Sequence, residues 1–198
     1  MNALWRYALA VAAGAAVAAI AFAPSASGIF PWRLSFPPDL VFALDVAGVS
    51  GRAAASLAGA GAGLAIAVAV DADLPAIFLA FLSPLTIFAL GRGAGGALLF
   101  AGVLFSARGL ASLPGDKRPA PVIGLGLAIA LAPYLTNAML AATPIIIAFA
   151  GVLSPWRGSA RRMIGFVTAI SAPLIMAIVC TLYLSWLFGA PEGVALSA

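Results

Sequence analysis

The sequence contains no histidine and a single cysteine, Cys180. Without histidine, haem ligation through imidazole, histidine-assisted base catalysis and most zinc sites each lack a required group. One cysteine excludes an intrachain disulfide, a CxxC redox motif and a thiolate metal cluster. Because Cys180 lies in an apolar run, we interpret it as a small hydrophobic side chain. The sequence therefore predicts no metal site and no cofactor.

Charged side chains are also scarce, at 8% of 198 residues, where soluble domains carry about 25%. Hydrophobic residues make up 64% of the chain. A membrane-spanning helix needs about 20 apolar residues, so the predicted fold class is all-α: a polytopic transmembrane helical bundle with about six full spans plus one or two short or broken helices. This leaves no room for a sizeable extramembrane part, and we predict a single integral membrane domain over residues 1–198.

The chain carries ten Lys and Arg against six Asp and Glu, a net charge of +4. The basic residues lie mainly at the ends of apolar runs and form no polybasic stripe, which indicates a lipid bilayer as partner and not nucleic acid. Arg157, Arg161 and Arg162 crowd one short loop, and Asp71 and Asp73 crowd another. The positive-inside rule places the first loop in the cytoplasm and the second outside. Small size, Ala-, Gly- and Arg-rich usage and the lack of processing signals favour a multi-pass protein of a bacterial inner (plasma) membrane.

Prolines, glycines and charged turns divide the apolar runs into predicted helices. These cover residues 4–23, 40–49, 53–70, 75–90, a span that ends near residue 113, 121–153 and 163–188. Ser83-Pro84 is expected to break the fourth of these. The run 121–153 exceeds one bilayer thickness and fits either one long tilted helix or two helices broken near Asn137 to Thr143, and we prefer the break.

The helix over residues 53–70 consists almost wholly of alanine and glycine. Gly59 and Gly63 lie four residues apart and therefore on one face, in register with Ala55. Small residues at this spacing let neighbouring helices approach closely. We therefore predict that Gly59 and Gly63 are helix-packing residues and that this helix is buried against its neighbours.

Ionisable groups at membrane depth are costly and make a functional site the default hypothesis. The candidates are Asp45 and Arg108, with Asp39 and Arg52 at the membrane edges. On one continuous helix Asp45 and Arg52 would share a face, although Gly48 weakens that geometry. A structural salt bridge and a ligand site both explain such a pair.

Two further residues complete the candidate ligand site. Asn137, in a polar cluster, fits either substrate binding or hydrogen bonding between helices. Trp32 lies in the proline-rich segment 24–38, as part of either an aromatic belt at the outer interface or a lid over a ligand. The predicted ligand-binding residues are Trp32, Asp39, Asp45, Arg52 and Asn137.

Catalytic patterns are missing from the sequence. No two carboxylates have a convincing catalytic spacing, and no phosphotransferase pattern is present. The glycine cluster over residues 91–96 lacks the lysine and the Ser/Thr of a phosphate-binding loop and follows no β-strand. The sequence therefore predicts that the chain has no catalytic residues and is not an enzyme.

The layout of the N-terminal part resembles two families of small polytopic membrane proteins, the substrate-binding S-components of energy-coupling-factor vitamin transporters and the cell-shape protein MreD. The resemblance covers the chain to about residue 75. It is carried by a first helix with Ala12, Ala15, Ala16 and Ala19, a long outer loop, a short helix that starts at Pro38-Asp39-Leu40, a turn at Gly48 to Gly51, and a small-residue helix. It implies a six-helix bundle that either captures a vitamin under the first outer loop or scaffolds envelope synthesis.

These observations predict a small-molecule binding or transport subunit that works without a cofactor. The alternative is a non-catalytic scaffold or assembly subunit of a cell-envelope complex. Both imply other membrane protein subunits as partners, and the first implies a small-molecule ligand.

Overall fold

A computed structural model of the chain describes residues 3–23, 38–113, 119–156 and 158–188. Within these ranges the backbone forms helices and no strand, which confirms the predicted all-α fold class. The helices are α1 (Ala3–Ala21), α2 (Leu40–Val46), α3 (Gly51–Ala69), α4 (Leu74–Leu82), α5 (Pro84–Gly91), α6 (Ala94–Ala111), α7 (Pro119–Leu135), α8 (Met139–Leu153) and α9 (Ala160–Phe188).

Four of the described helices, α1, α3, α6 and α9, are long and apolar enough to cross a membrane. The consecutive helices α4 and α5 are bent by 65° and make a fifth span if they are counted together. The prediction of about six full spans is not confirmed, because α7 and α8 have 17 and 15 residues and a full span needs about 20. The set of apolar helices is compatible with a multi-pass integral membrane protein.

Two predicted helix breaks are present. Between α4 and α5, Ser83 has an extended backbone with ψ 128°, as expected for a residue before a proline. Between α7 and α8, residues 136–138 interrupt the helix, which confirms two helices in place of one long tilted helix. The short helix α2 ends three residues earlier than the predicted residue 49. Its end is followed by Gly48 with φ +73°, a conformation that glycine adopts at no steric cost.

The described residues fall into two compact units. The first unit holds the described residues of 1–31 and 40–105, and the second holds those of 32–39 and 106–198. The single integral membrane domain stays a prediction. Each unit has its own helix packing, and each is described by itself below.

In the first unit α1 and α3 pack backbone against backbone. A Cβ atom on Gly59 would lie 2.5 Å from the carbonyl oxygen of Gly14, and a Cβ on Gly14 would lie 2.9 Å from the Cα of Gly63. A Cβ on Gly63 would overlap the carbonyl oxygen of Ala10. Side chains cannot occupy these positions at the observed helix separation, so the two predicted packing glycines lie where α1 approaches α3 most closely. We call this contact the glycine seam.

In the second unit α7 and α8 pack against α9. Fully buried side chains of ordinary size lie on these helices, among them Leu125 and Ile129 on α7 and Ile170 on α9. A Cβ on Gly126 would lie 3.6 Å from the Cα of Ile170 and from Cγ of Pro173, which is normal van der Waals contact. The contact between α7 and α9 therefore has room for a side-chain carbon at Gly126, which the glycine seam lacks.

Candidate functional site

The break between α7 and α8 holds a buried carboxylate. The backbone N–H of Asn137 donates a hydrogen bond of 2.8 Å to Oδ2 of Asp39, which lies 98 residues earlier in the chain. Asp39 is only 9% exposed. In a continuous helix the same N–H would donate to the carbonyl of Pro133. The carboxylate thus takes the place of a helical acceptor at the point where the helix is interrupted.

The backbone of the break is a tight turn that leads into α8. The N–H groups of Met139, Leu140 and Ala141 donate to the carbonyls three residues earlier, over 3.0, 3.0 and 3.2 Å. Such bonds tighten a helix end. Because the N-terminal end of a helix carries partial positive charge, a carboxylate next to it is favourably placed. Asp39 therefore has both a backbone donor and the start of α8 as electrostatic partners.

Buried hydroxyl groups lie close to the break in sequence. Thr136 is 5% exposed, and Thr143, one turn into α8, is 3% exposed and donates its hydroxyl to the carbonyl of Met139 over 2.7 Å. These groups supply buried hydroxyl oxygens near the carboxylate of Asp39 along the chain segment of the break. The break is consequently the place in the second unit where a buried carboxylate lies beside backbone polar groups of an interrupted helix.

Tyr134, which precedes the break, belongs to a helix contact. Its hydroxyl donates to the carbonyl of Ala177 on α9 over 3.0 Å and shares a hydrogen bond with the hydroxyl of Thr181. Thr181 also donates to the carbonyl of Ala177 over 2.8 Å. Of the two roles open to this polar cluster, Tyr134 takes the interhelical one, whereas the backbone of Asn137 contacts Asp39.

The other predicted ligand-binding residues lie elsewhere. Asp45 is exposed on α2 and Arg52 is exposed in the first turn of α3, both in the first unit. Because α2 ends at Val46 and α3 begins at Gly51, the continuous helix that would align them on one face is not formed. Trp32 lies outside the described residues. Of the predicted set, the structure thus brings Asp39 and Asn137 into hydrogen-bond contact.

Two polar groups that the structure buries were not among the predicted site residues. Arg6 on α1 donates from Nη1 to the carbonyl of Ala72 over 3.3 Å, and its Nε is buried without a hydrogen-bond partner. Ser106 on α6 is 1% exposed, and its hydroxyl also has no hydrogen-bond partner. An arginine in the first turns of an apolar helix was an available signal for the first. Nothing local distinguishes Ser106 from other serines.

Within the described residues no group of three or more His, Cys, Asp and Glu side chains could hold a metal ion. Comparison with family models, curated proteins and solved structures gives no match for this chain. Two features of the chain bear on its function: the α7–α8 break, and the apolar helices, which are compatible with a multi-pass integral membrane protein.

Proposed function

We propose that the chain is a small-molecule binding subunit of a transport system in a bacterial inner membrane, and that its ligand binds at the α7–α8 break. The observation that carries this proposal is the buried carboxylate of Asp39 beside the interrupted helix. Interrupted helices are where membrane transporters present backbone polar groups to substrates. Burial of a carboxylate is costly, which favours a functional role. The N-terminal resemblance to S-components points in the same direction.

The chemistry of the break selects the kind of ligand. A carboxylate accepts hydrogen bonds and attracts positive charge. Thr136 adds a hydroxyl that can donate or accept. We therefore propose a small polar ligand that carries an ammonium group or several hydrogen-bond donors.

Asp39→Asn tests this proposal, with Asp45→Asn as the matched control. The asparagine oxygen can still accept from the N–H of Asn137, so the fold is expected to survive while the negative charge is lost. Purified protein is titrated with a panel of small organic ammonium compounds, and its melting temperature is followed. Wild type and Asp45→Asn should show the same ligand-dependent rise, and Asp39→Asn should show at least a tenfold weaker response. An unchanged response in Asp39→Asn contradicts the site. If only Asp45→Asn loses the ligand-dependent rise, the ligand binds at α2 and not at the break.

A scaffold or assembly subunit is the second candidate, and one observation favours it. The hydrogen bond from Asn137 to Asp39 is also what a purely structural helix cap would form. Affinity purification in mild detergent separates the two functions. Copurifying ATPases support the transport subunit, whereas copurifying envelope-synthesis proteins support the scaffold, as the resemblance to MreD implies.

The proposed topology places the loop of Arg157, Arg161 and Arg162 in the cytoplasm. In a Cys180→Ser background, Asp73→Cys should react with a membrane-impermeant thiol reagent in intact cells. Ser159→Cys should react only after the cells are opened. Labelling of Ser159→Cys in intact cells would show that this loop lies outside, which contradicts the proposed topology.

A further inference from the structure

An open apolar groove of about 490 Å³ lies between α8 and α9 in the second unit. Its lining residues are all apolar: Ile147, Ala148, Gly151, Val152, Met163 and Val167. Gly151 adds no side chain to the groove, and a Cβ at its position would make ordinary contact with Cγ2 of Val167 at 3.7 Å. The groove is thus shaped by these two helices and is lined by hydrocarbon.

Two basic residues lie at the end of α9 from which the groove starts. Arg161 and Arg162 lie in the first turn of α9, directly before the lining residue Met163, and both are exposed. An aromatic pair lies in the same region, where the rings of Trp156 and Phe166 have centroids 5.6 Å apart. Arginine and tryptophan are typical of the membrane–water interface. Two exposed cationic side chains thus lie within one helical turn of the lining residue Met163, at the start of α9.

We propose that this groove binds an anionic phospholipid, with one acyl chain along α8 and α9 and the phosphate at Arg161 and Arg162. Basic residues beside an apolar cleft at a membrane surface match a lipid in both parts, headgroup and chain. A zwitterionic lipid presents an amine beside the same arginines, which lowers the attraction. The groove follows α8 for the six residues 147–152, about 9 Å, and this is far shorter than the contact that a partner helix spanning about 30 Å would make.

The test measures lipid occupancy of the purified full-length protein by native mass spectrometry. The protein is titrated with phosphatidylglycerol or with phosphatidylcholine of the same chain length. We expect preferential binding of phosphatidylglycerol. Each basic residue near a membrane surface contributes about fivefold to anionic-lipid affinity, so the double variant Arg161→Gln/Arg162→Gln should bind phosphatidylglycerol roughly 25-fold more weakly.

Two matched pairs of variants distinguish lipid binding in the groove from nonspecific effects of charge and of added side-chain volume. Arg161→Lys/Arg162→Lys keeps both charges and should retain the preference. Ala148→Phe fills the groove and should remove lipid occupancy, whereas Ala169→Phe places the same bulk at another exposed position of α9 and should leave occupancy unchanged. Equal binding of the two lipids, or full occupancy in Ala148→Phe, overturns the proposal. If a protein copurifies tightly with wild type and is lost in Ala148→Phe, the occupant of the groove is a protein partner and not a lipid.

Discussion

The two units of the molecule hold their helices together in different ways. At the glycine seam, Gly14 on α1 and Gly59 on α3 leave no room for a Cβ. In the second unit a Cβ on Gly126 of α7 would lie 3.6 Å from its neighbours on α9. The same residue type thus packs in two ways in one chain: at the seam the backbones meet only because no Cβ is present, whereas at Gly126 a Cβ would fit in ordinary contact.

This difference follows from the proline content of the helices in each unit. No proline lies inside α1 or α3, whereas α7, α8 and α9 each contain one, at positions 133, 144 and 173. Regular helices with small residues can approach closely and gain dispersion contacts along the backbone. Helices interrupted by proline expose backbone carbonyls, and in the second unit hydroxyl groups and larger side chains form the contacts. Backbone packing tolerates no added volume, and side-chain packing tolerates some.

The largest expected effect is from Gly63→Leu in the glycine seam. The new side chain would collide with the carbonyl of Ala10, and α1 would have to move away. We expect a loss of about 3 kcal/mol or more in stability, at the upper end of overpacking costs, and the same direction for Gly59→Leu. The measurement is thermal unfolding of the purified protein in detergent.

Gly61→Leu is the matched control for that experiment. Gly61 lies on the same helix, and nothing is within 4 Å of the position of its Cβ. It should melt at or above the wild-type temperature, because leucine favours a helix over glycine by about 0.5 to 1 kcal/mol. Leu64→Ala should also cost little, since Leu64 is 40% exposed. Wild-type melting of both glycine-seam variants would show that the seam does not contribute to stability.

Much of the first unit could be predicted from the sequence because its signals are local. The four-residue spacing of Gly59 and Gly63 lies within one helix, so their shared face follows from helix periodicity alone. Ser83-Pro84 likewise predicts its own break. The helix partner was not predictable, because the small-residue pattern shows that α3 packs closely but not that α1 is the element against it.

The candidate site was predicted only in part because its contact is nonlocal. Asp39 and Asn137 were each singled out as polar residues in apolar surroundings, yet 98 residues separate them, and no periodicity links residues at such a distance. The pairing considered instead, Asp45 with Arg52, relied on a short spacing that requires an unbroken helix. The chain turns at Gly48 and Gly51, both at positive φ, and this removes the shared face.

Asp39→Ala is expected to have the second-largest effect, and it tests a polar contact of the second unit. It leaves the N–H of Asn137 buried without its acceptor. Loss of a hydrogen bond to a carboxylate costs about 1.5 to 3 kcal/mol. Asp45→Ala, which removes an exposed carboxylate, is the control for unfolding in detergent. An equal and small effect of both variants would mean that the α7–α8 break does not need its carboxylate for stability.

Tyr134→Phe should have a smaller effect. It removes the hydroxyl that joins α7 to the carbonyl of Ala177 and to Thr181. Hydrogen bonds between membrane helices contribute on average about 0.6 kcal/mol, so we expect a loss of about 0.6 to 1.5 kcal/mol. Tyr183→Phe, at an exposed position of α9, should be neutral in the same unfolding assay. A neutral Tyr134→Phe would reduce the α7–α9 contact to apolar packing.

The smallest effect is expected from Gly126→Ala. Its sign decides whether the two units pack their helices differently. The added methyl group meets Ile170 and Pro173 at 3.6 Å, an ordinary contact that requires no shift. Alanine favours a helix over glycine by about 0.5 to 1 kcal/mol, so the variant should melt slightly above wild type. Gly124→Ala, where nothing lies within 4 Å of the added atom, measures that propensity gain by itself. If Gly126→Ala instead lowers stability as Gly63→Ala should, α7 and α9 leave as little room for a Cβ as α1 and α3 do, and the two units pack by one mechanism.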